Sequence, residues 1–182
     1  MNAGLTDNYF ELFELPVSFR LDLEDLAGRY RTLQRSSHPD RFAAAGDRDR
    51  RLAVQRAARI NEAYQALRDP RRRARYLLEL HGVALDDERD TTQDPAFLME
   101  QMELREQLAE LGSRPDPLAA IGELLVLIET RKRALLEGME ALFETPGPEA
   151  LGEAKTRVHR LRFFERLHEE AAQREEELLD AL

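Results

Sequence analysis

Four histidines, two adjacent serines and a nearby aspartate are the residues of this chain with the types for chemistry. Ser36-Ser37-His38-Pro39-Asp40 contains the components of a nucleophile–base–orienter set. Neighbours in one short loop cannot line up in those three roles, so the run does not read as a hydrolytic triad. His159 and His168 are nine residues apart on a helical pattern, point to opposite sides and cannot share a metal. There is no cysteine, which removes disulfides and thiolate metal sites. No glycine-rich phosphate loop occurs. The sequence therefore argues against intrinsic catalysis, a resident cofactor or a metal. What remains is His38-Pro39-Asp40 itself. Pro39 cannot extend a preceding helix and pushes His38 into an extended backbone. Alone, the tripeptide reads as a helix stop plus a turn. Between two long helices it presents an imidazole and a carboxylate on a loop, where binding residues collect.

The elements that position this run are legible from caps and periodicity. Asp69-Pro70, Asp94-Pro95 and Asp116-Pro117 each put a capping carboxylate before a proline suited to the first helical position. Asp22 with Asp25 is a weaker start, and Gly82 is a stop. The spacing predicts helices over 8–15, 22–36, 48–68 and 70–81, a polar linker over 86–94, and helices over 95–112, 117–143 and 148–180. This is an all-α chain. Residues 1–85 read as one domain, and 95–182 as a second, an antiparallel three-helix bundle.

Composition bounds the function classes. The chain has 182 residues, 42% apolar and 35% charged, with a net charge of −9. Residues 1–81 hold 15 Arg against 12 acidic side chains, whereas 82–182 hold 12 basic against 24 acidic. A mildly basic module joined to a strongly acidic one suggests two partners of different character, and argues against nucleic acid. No apolar run approaches the ~20 residues of a membrane span, and residues 1–7 lack the order of a secretion signal. The expected location is the cytoplasm. Arg71-Arg72-Arg73 with Arg75 reads as a solvated helix face rather than a nucleic-acid patch.

Two helix faces carry further information. In the helix over 22–36, Leu23, Leu26, Ala27, Tyr30 and Leu33 share one side, and Arg29, Arg31 and Arg35 occupy the polar remainder. The helix over 95–112 is apolar on two sides. With Leu98 as origin and about 100° per residue, Phe97, Leu104, Leu108 and Leu111 gather between about 220° and 280°. Leu98, Met99 and Met102 lie between 0° and about 100°, beside Glu103, Glu106 and Glu110 at about 80° to 140°. The first stripe suits a core. The second is either covered by another helix or exposed as an adaptable contact surface, and geometry leaves both open.

Tyr9-Phe10, Leu12-Phe13-Glu14-Leu15-Pro16, Tyr30-Arg31-Thr32-Leu33, His38-Pro39-Asp40-Arg41-Phe42, the run from Ile60 to Leu67 and Asp69-Pro70 resemble a J-domain, the module that binds DnaK-class chaperones and stimulates their ATPase. The runs Tyr76 to Gly82, Ala96 to Glu106 and Leu161-Arg162-Phe163 resemble the HscB family, the J-proteins of bacterial iron–sulfur cluster assembly. The resemblance implies an L-shaped molecule and a non-enzymatic co-chaperone. It implies that His38, Pro39 and Asp40, with Arg31, Arg41, Arg35 and Arg29, face an HscA-type chaperone. It further implies that Leu98, Met99, Met102, Glu103, Glu106 and Glu110, with Phe163, hold the scaffold protein IscU. Arg41 stands where lysine is frequent, and Met102 where leucine is common. A general J-protein delivering unfolded clients is the other reading, and the acidic character of the Leu/Met sector argues against it.

Overall fold

Residues 8–37, 46–86 and 94–180 are described in the computed structural model, and no strand occurs among them. The helices are α1 (Tyr9–Leu12), α2 (Leu23–Ser37), α3 (Asp47–Arg68), α4 (Pro70–Leu80), α5 (Pro95–Ala109), α6 (Pro117–Leu136), α7 (Met139–Glu144) and α8 (Pro148–Asp180). They fall into two compact units, Met1–His81 and Gly82–Leu182.

The caps act as the sequence indicates. Asp69 accepts the Arg72 amide at 2.7 Å, Asp94 the Ala96 amide at 3.0 Å and Asp116 the Ala119 amide at 3.0 Å. Asp22 accepts the Glu24 and Asp25 amides at 2.9 and 3.1 Å. Each such cap satisfies a donor that the helix cannot, and contributes about 1 kcal/mol. Asn8 and Glu11 add a reciprocal capping box on α1.

Three elements differ from expectation. The helix over 8–15 is only Tyr9–Leu12, ending at Phe13 before Glu14 takes a positive φ of 54°. The helix over 95–112 ends at Ala109 and tightens into a 3-10 turn at Leu111–Ser113. The helix over 117–143 is two helices, because Gly138 takes φ +72° and ends the α6 ladder. Arg157 of α8 holds that break by donating to the carbonyls of Glu137 at 2.6 Å and Leu135 at 3.5 Å. Glycine adopts this φ without the Cβ penalty that other residues meet.

In the first unit α2 and α3 form the hairpin. Tyr30 stacks on Tyr64 with centroids 4.0 Å apart, and its hydroxyl donates to Asn61 Oδ1 at 3.0 Å. Leu26, Ile60 and Leu67 are fully buried, but Leu23, the first residue of α2, is 49% exposed and burial begins one turn later. The arginine run on α4 is not uniformly solvated. Arg73 is buried, its Nη1 donates to the Leu67 carbonyl at 2.7 Å, and its guanidinium lies 5.0 Å over Phe19. Burial holds its pKa below the ordinary arginine value. The (i, i+3, i+4) geometry that puts Arg73 beside the apolar Leu77 explains why a charge run by itself misleads. Tyr76 of α4 stacks on Tyr9 at 4.2 Å and its hydroxyl accepts the Tyr9 amide at 2.9 Å. The Tyr9 phenol is pushed up to about 12 by burial, then by a hydrogen bond to Glu62 and its charge.

In the second unit, Phe97, Leu104 and Leu111 pack with Ile121, Leu124 and Ile128 of α6 and with Phe164 and Leu167 of α8. Two ionic ties fix α5. Arg160 of α8 donates from Nη2 to Asp94 Oδ2 at 2.5 Å, with its guanidinium 4.9 Å over the Phe97 ring. Arg131 of α6 pairs with Glu100 at 2.9 Å.

These contacts generate two predictions. A phenol whose folded pKa is raised stabilises the fold below its ordinary pKa of 10.0, and that contribution is lost as pH rises towards about 12. The first unit should therefore lose stability between those values. Burial raises the Tyr76 phenol as well, so an ultraviolet tyrosinate titration should show a late step that Tyr9→Phe reduces; an unchanged late step would assign it to another tyrosine. The second concerns Asp94. Asp94→Ala should destabilise the second unit by about 1 kcal/mol through the cap, plus a few tenths through the half-exposed ion pair. Asp94→Asn keeps the cap and should lose only the smaller part, read from denaturation midpoints and from amide exchange in the first turn of α5.

Candidate functional site

Two surfaces collect the residues singled out by the sequence. On the first unit, His38, Pro39, Asp40 and Arg41 lie outside the described residues. Arg31 and Arg35 are exposed on α2. Arg29 differs from them. Its Nε bonds both Asp25 oxygens at 3.0 Å, and its Nη1 donates to the carbonyls of Phe13 and Glu14 at 3.0 and 3.1 Å. Glu14 carries a positive φ of 54°, uncommon for a residue with a Cβ, and Arg29 secures the turn that contains it. This side chain has a structural assignment within the unit, whatever else it contacts.

On the second unit, the question left open by helix geometry has an answer. Among the described residues no helix covers the second face of α5: Leu98 is 43%, Met99 63% and Met102 71% exposed. Glu103, Glu106 and Glu110 are exposed beside them. Phe97, about 100° away round the helix, is 4% exposed, so one helix has a core stripe and an apolar solvent stripe at once. Phe163 of α8 joins this face. It is half-buried, edge-on to Phe97 at 5.7 Å and to Phe164 at 5.2 Å. The structure thus brings Phe163 next to α5, as a contiguous patch requires.

One neighbour of the patch escapes a reading built on apolar and acidic residues. The Arg105 guanidinium lies 5.9 Å over the Phe163 ring. Its signal in the sequence is its spacing, seven residues after Leu98 and hence on the same side of α5. Among the described residues no cluster of three His, Cys, Asp or Glu is placed to hold a metal, and no helix is long and apolar enough to cross a membrane. His168 Nε2 lies 3.4 Å from Glu129, in a surface ion-pair position rather than a reactive one.

Each of the two units resembles a known family. Residues 8–76 match the DnaJ domain, and residues 93–172 match the family described as HSCB C-terminal oligomerisation domain. A co-chaperone protein HscB homolog of Paraburkholderia xenovorans is 45% identical over 168 residues, covering 92% of this chain and 94% of that protein. The solved structure of chaperone HscB from Vibrio cholerae superposes with a TM-score of 0.86 at 44% identity, over 94% of this chain and 99% of that one. Human co-chaperone protein HscB gives a TM-score of 0.84 at 30% identity, over 94% of this chain and 83% of that one. With a J-domain in its first unit and a helical bundle in its second, the chain belongs to the HscB family of co-chaperones.

Proposed function

We propose that this co-chaperone holds an IscU-type iron–sulfur scaffold on the α5–α8 patch and, through its J-domain, stimulates the ATPase of an HscA-type DnaK-class chaperone. Scaffold and trigger on one chain raise the effective concentration of each at the chaperone, which favours cluster transfer to acceptor proteins. The observation that carries this reading is the exposure of Leu98, Met99 and Met102 on a helix whose opposite stripe is fully used in the core. Exposed apolar side chains in a contiguous group mark a contact site, and methionine adapts its shape to a partner. The glutamates at its edge select for a basic partner surface and disfavour a generic unfolded client. His38, Pro39 and Asp40, with Arg31, Arg35 and Arg41, are proposed to engage the chaperone, with arginines suited to carboxylates. Neither catalysis by the chain itself, nor nucleic acid, nor a membrane enters this reading, and the proposed compartment is the cytoplasm.

The test divides the two surfaces. Leu98→Ala with Met99→Ala should weaken scaffold binding about 100-fold or more, the scale of two apolar side chains left unburied. Stimulation by the chain alone should remain. His38→Gln should do the reverse, abolishing stimulation while scaffold affinity stays native. A double alanine variant that binds the scaffold normally overturns the assignment of the patch.

Salt should separate them as well. Surface arginine–carboxylate contacts are screened, with a Debye length of about 8 Å at physiological ionic strength, whereas apolar burial is not. Chaperone affinity should therefore fall more steeply with salt than scaffold affinity in paired calorimetric titrations. Equal slopes would give the scaffold surface to its glutamates.

A further inference from the structure

The chain has no cysteine, so its methionines carry its only sulfur, and their environments differ. The four are Met1, Met99, Met102 and Met139. Met139 is 0% exposed, whereas Met99 is 63% and Met102 71% exposed. Met99 and Met102 stand three residues apart on α5 and lie side by side on the stripe that also holds Leu98. Their thioethers are open to small oxidants from solvent. Oxidation turns such a flexible apolar side chain into a polar one, and the change is reversible.

The surroundings make that change costly at a contact. One turn from Met99 on α5 stand Pro95, Ala96, Met102 and Glu103, and none of these offers a side-chain donor when the glutamate is ionised. Met102 has one donor a turn away, Arg105, whose guanidinium lies 5.9 Å over the Phe163 ring. A sulfoxide oxygen here is a strong acceptor in the middle of an apolar strip. Covering it takes it out of water without a partner, and removes apolar area that favoured the contact.

We infer that Met99 and Met102 form a reversible oxidation site that switches the patch off, with a peroxide as the oxidant. A sulfur lone pair attacks one oxygen of hydrogen peroxide. The S–O bond forms as the O–O bond breaks, and the departing hydroxide takes the proton of the transferred oxygen and leaves as water. Methionine loses two electrons to become the sulfoxide, and the peroxide gains them. A thiol-dependent sulfoxide reductase returns the thioether. The inference rests on the scaffold-binding reading above and adds its regulation. Leu98 has no such chemistry, so the two methionines make the stripe responsive to oxidant as well as adaptable in shape.

The experiment treats the full chain with dilute hydrogen peroxide and removes the peroxide before purified IscU-type scaffold is added. Peptide mass mapping should find one added oxygen on each of Met99 and Met102 before any on Met139. Calorimetry should show scaffold affinity lowered about 10- to 100-fold, the scale of a buried polar group left without a partner. Methionine sulfoxide reductases for both sulfur epimers should restore it. Met99→Leu with Met102→Leu, a swap of similar volume, should show the same affinity before and after peroxide. Stimulation of the chaperone by the treated chain alone, and its helical circular dichroism, should be unchanged. Oxidation of Met139 as fast as of Met99 and Met102 overturns the site, and so does an equal loss in the leucine variant. Native affinity in the oxidised chain, with binding lost in the untreated Leu98→Ala, Met99→Ala variant, overturns the switch and leaves the patch assignment standing. Native affinity in both overturns the patch assignment itself.

Discussion

The contact of Phe97 with Phe163 and Phe164 is what the second surface of this molecule depends on. It holds the start of α5 on α8 through one stripe of side chains, so the remaining faces of α5 can stay outside the core. Aromatic rings bury much area for few contacts, and edge-on pairs add a directional preference. Arg160 reinforces the same corner by joining Asp94 and covering Phe97, and Arg131 ties Glu100 to α6. A helix fixed this way can expose leucine and methionine without being drawn into a second layer. The patch exists because α5 is anchored along a narrow line.

The first unit is organised on a different principle. Its seams are polar–aromatic: Tyr30 against Tyr64 in the hairpin, Tyr9 against Tyr76 between α1 and α4, each with its hydroxyl in a hydrogen bond. Two arginines act as internal fasteners, Arg29 on the carbonyls of Phe13 and Glu14, and Arg73 on that of Leu67. Buried or part-buried guanidinium groups suit this because they supply several donors in one plane. The positive balance of this unit is therefore not all available to a partner. Arg31 and Arg35 are exposed on α2.

Much of this was legible beforehand, and the reasons are local. An aspartate followed by proline at a helix start admits few readings, and all three such pairs cap as expected. The core stripe of α5 followed from its period, with Phe97, Leu104 and Leu111 buried. The break at Gly138 was missed because apolar periodicity runs through it, and a positive φ leaves no mark on such a pattern beyond the glycine itself. Arg73 was misread because burial of a charge depends on a carbonyl supplied by another helix. Whether Leu98 and Met99 were covered could not be decided from one helix, since the answer lies in where its neighbours end. Arg105 went unnoticed because its partner, Phe163, is far away in sequence.

Leu98 closes the first turn of α5, its amide bonded to the Asp94 carbonyl, and Met99 follows it. First turns are where helices open most readily, and local openings range from almost no free energy to the global value. A contact surface mounted there, as proposed, would be competent only while that turn is closed, with its apparent affinity scaled by the closed fraction. The Asp94 cap and the Arg160 tie hold that turn closed from outside the exposed stripe. Recognition at the proposed patch would then be coupled to the fraying equilibrium of a single helical turn.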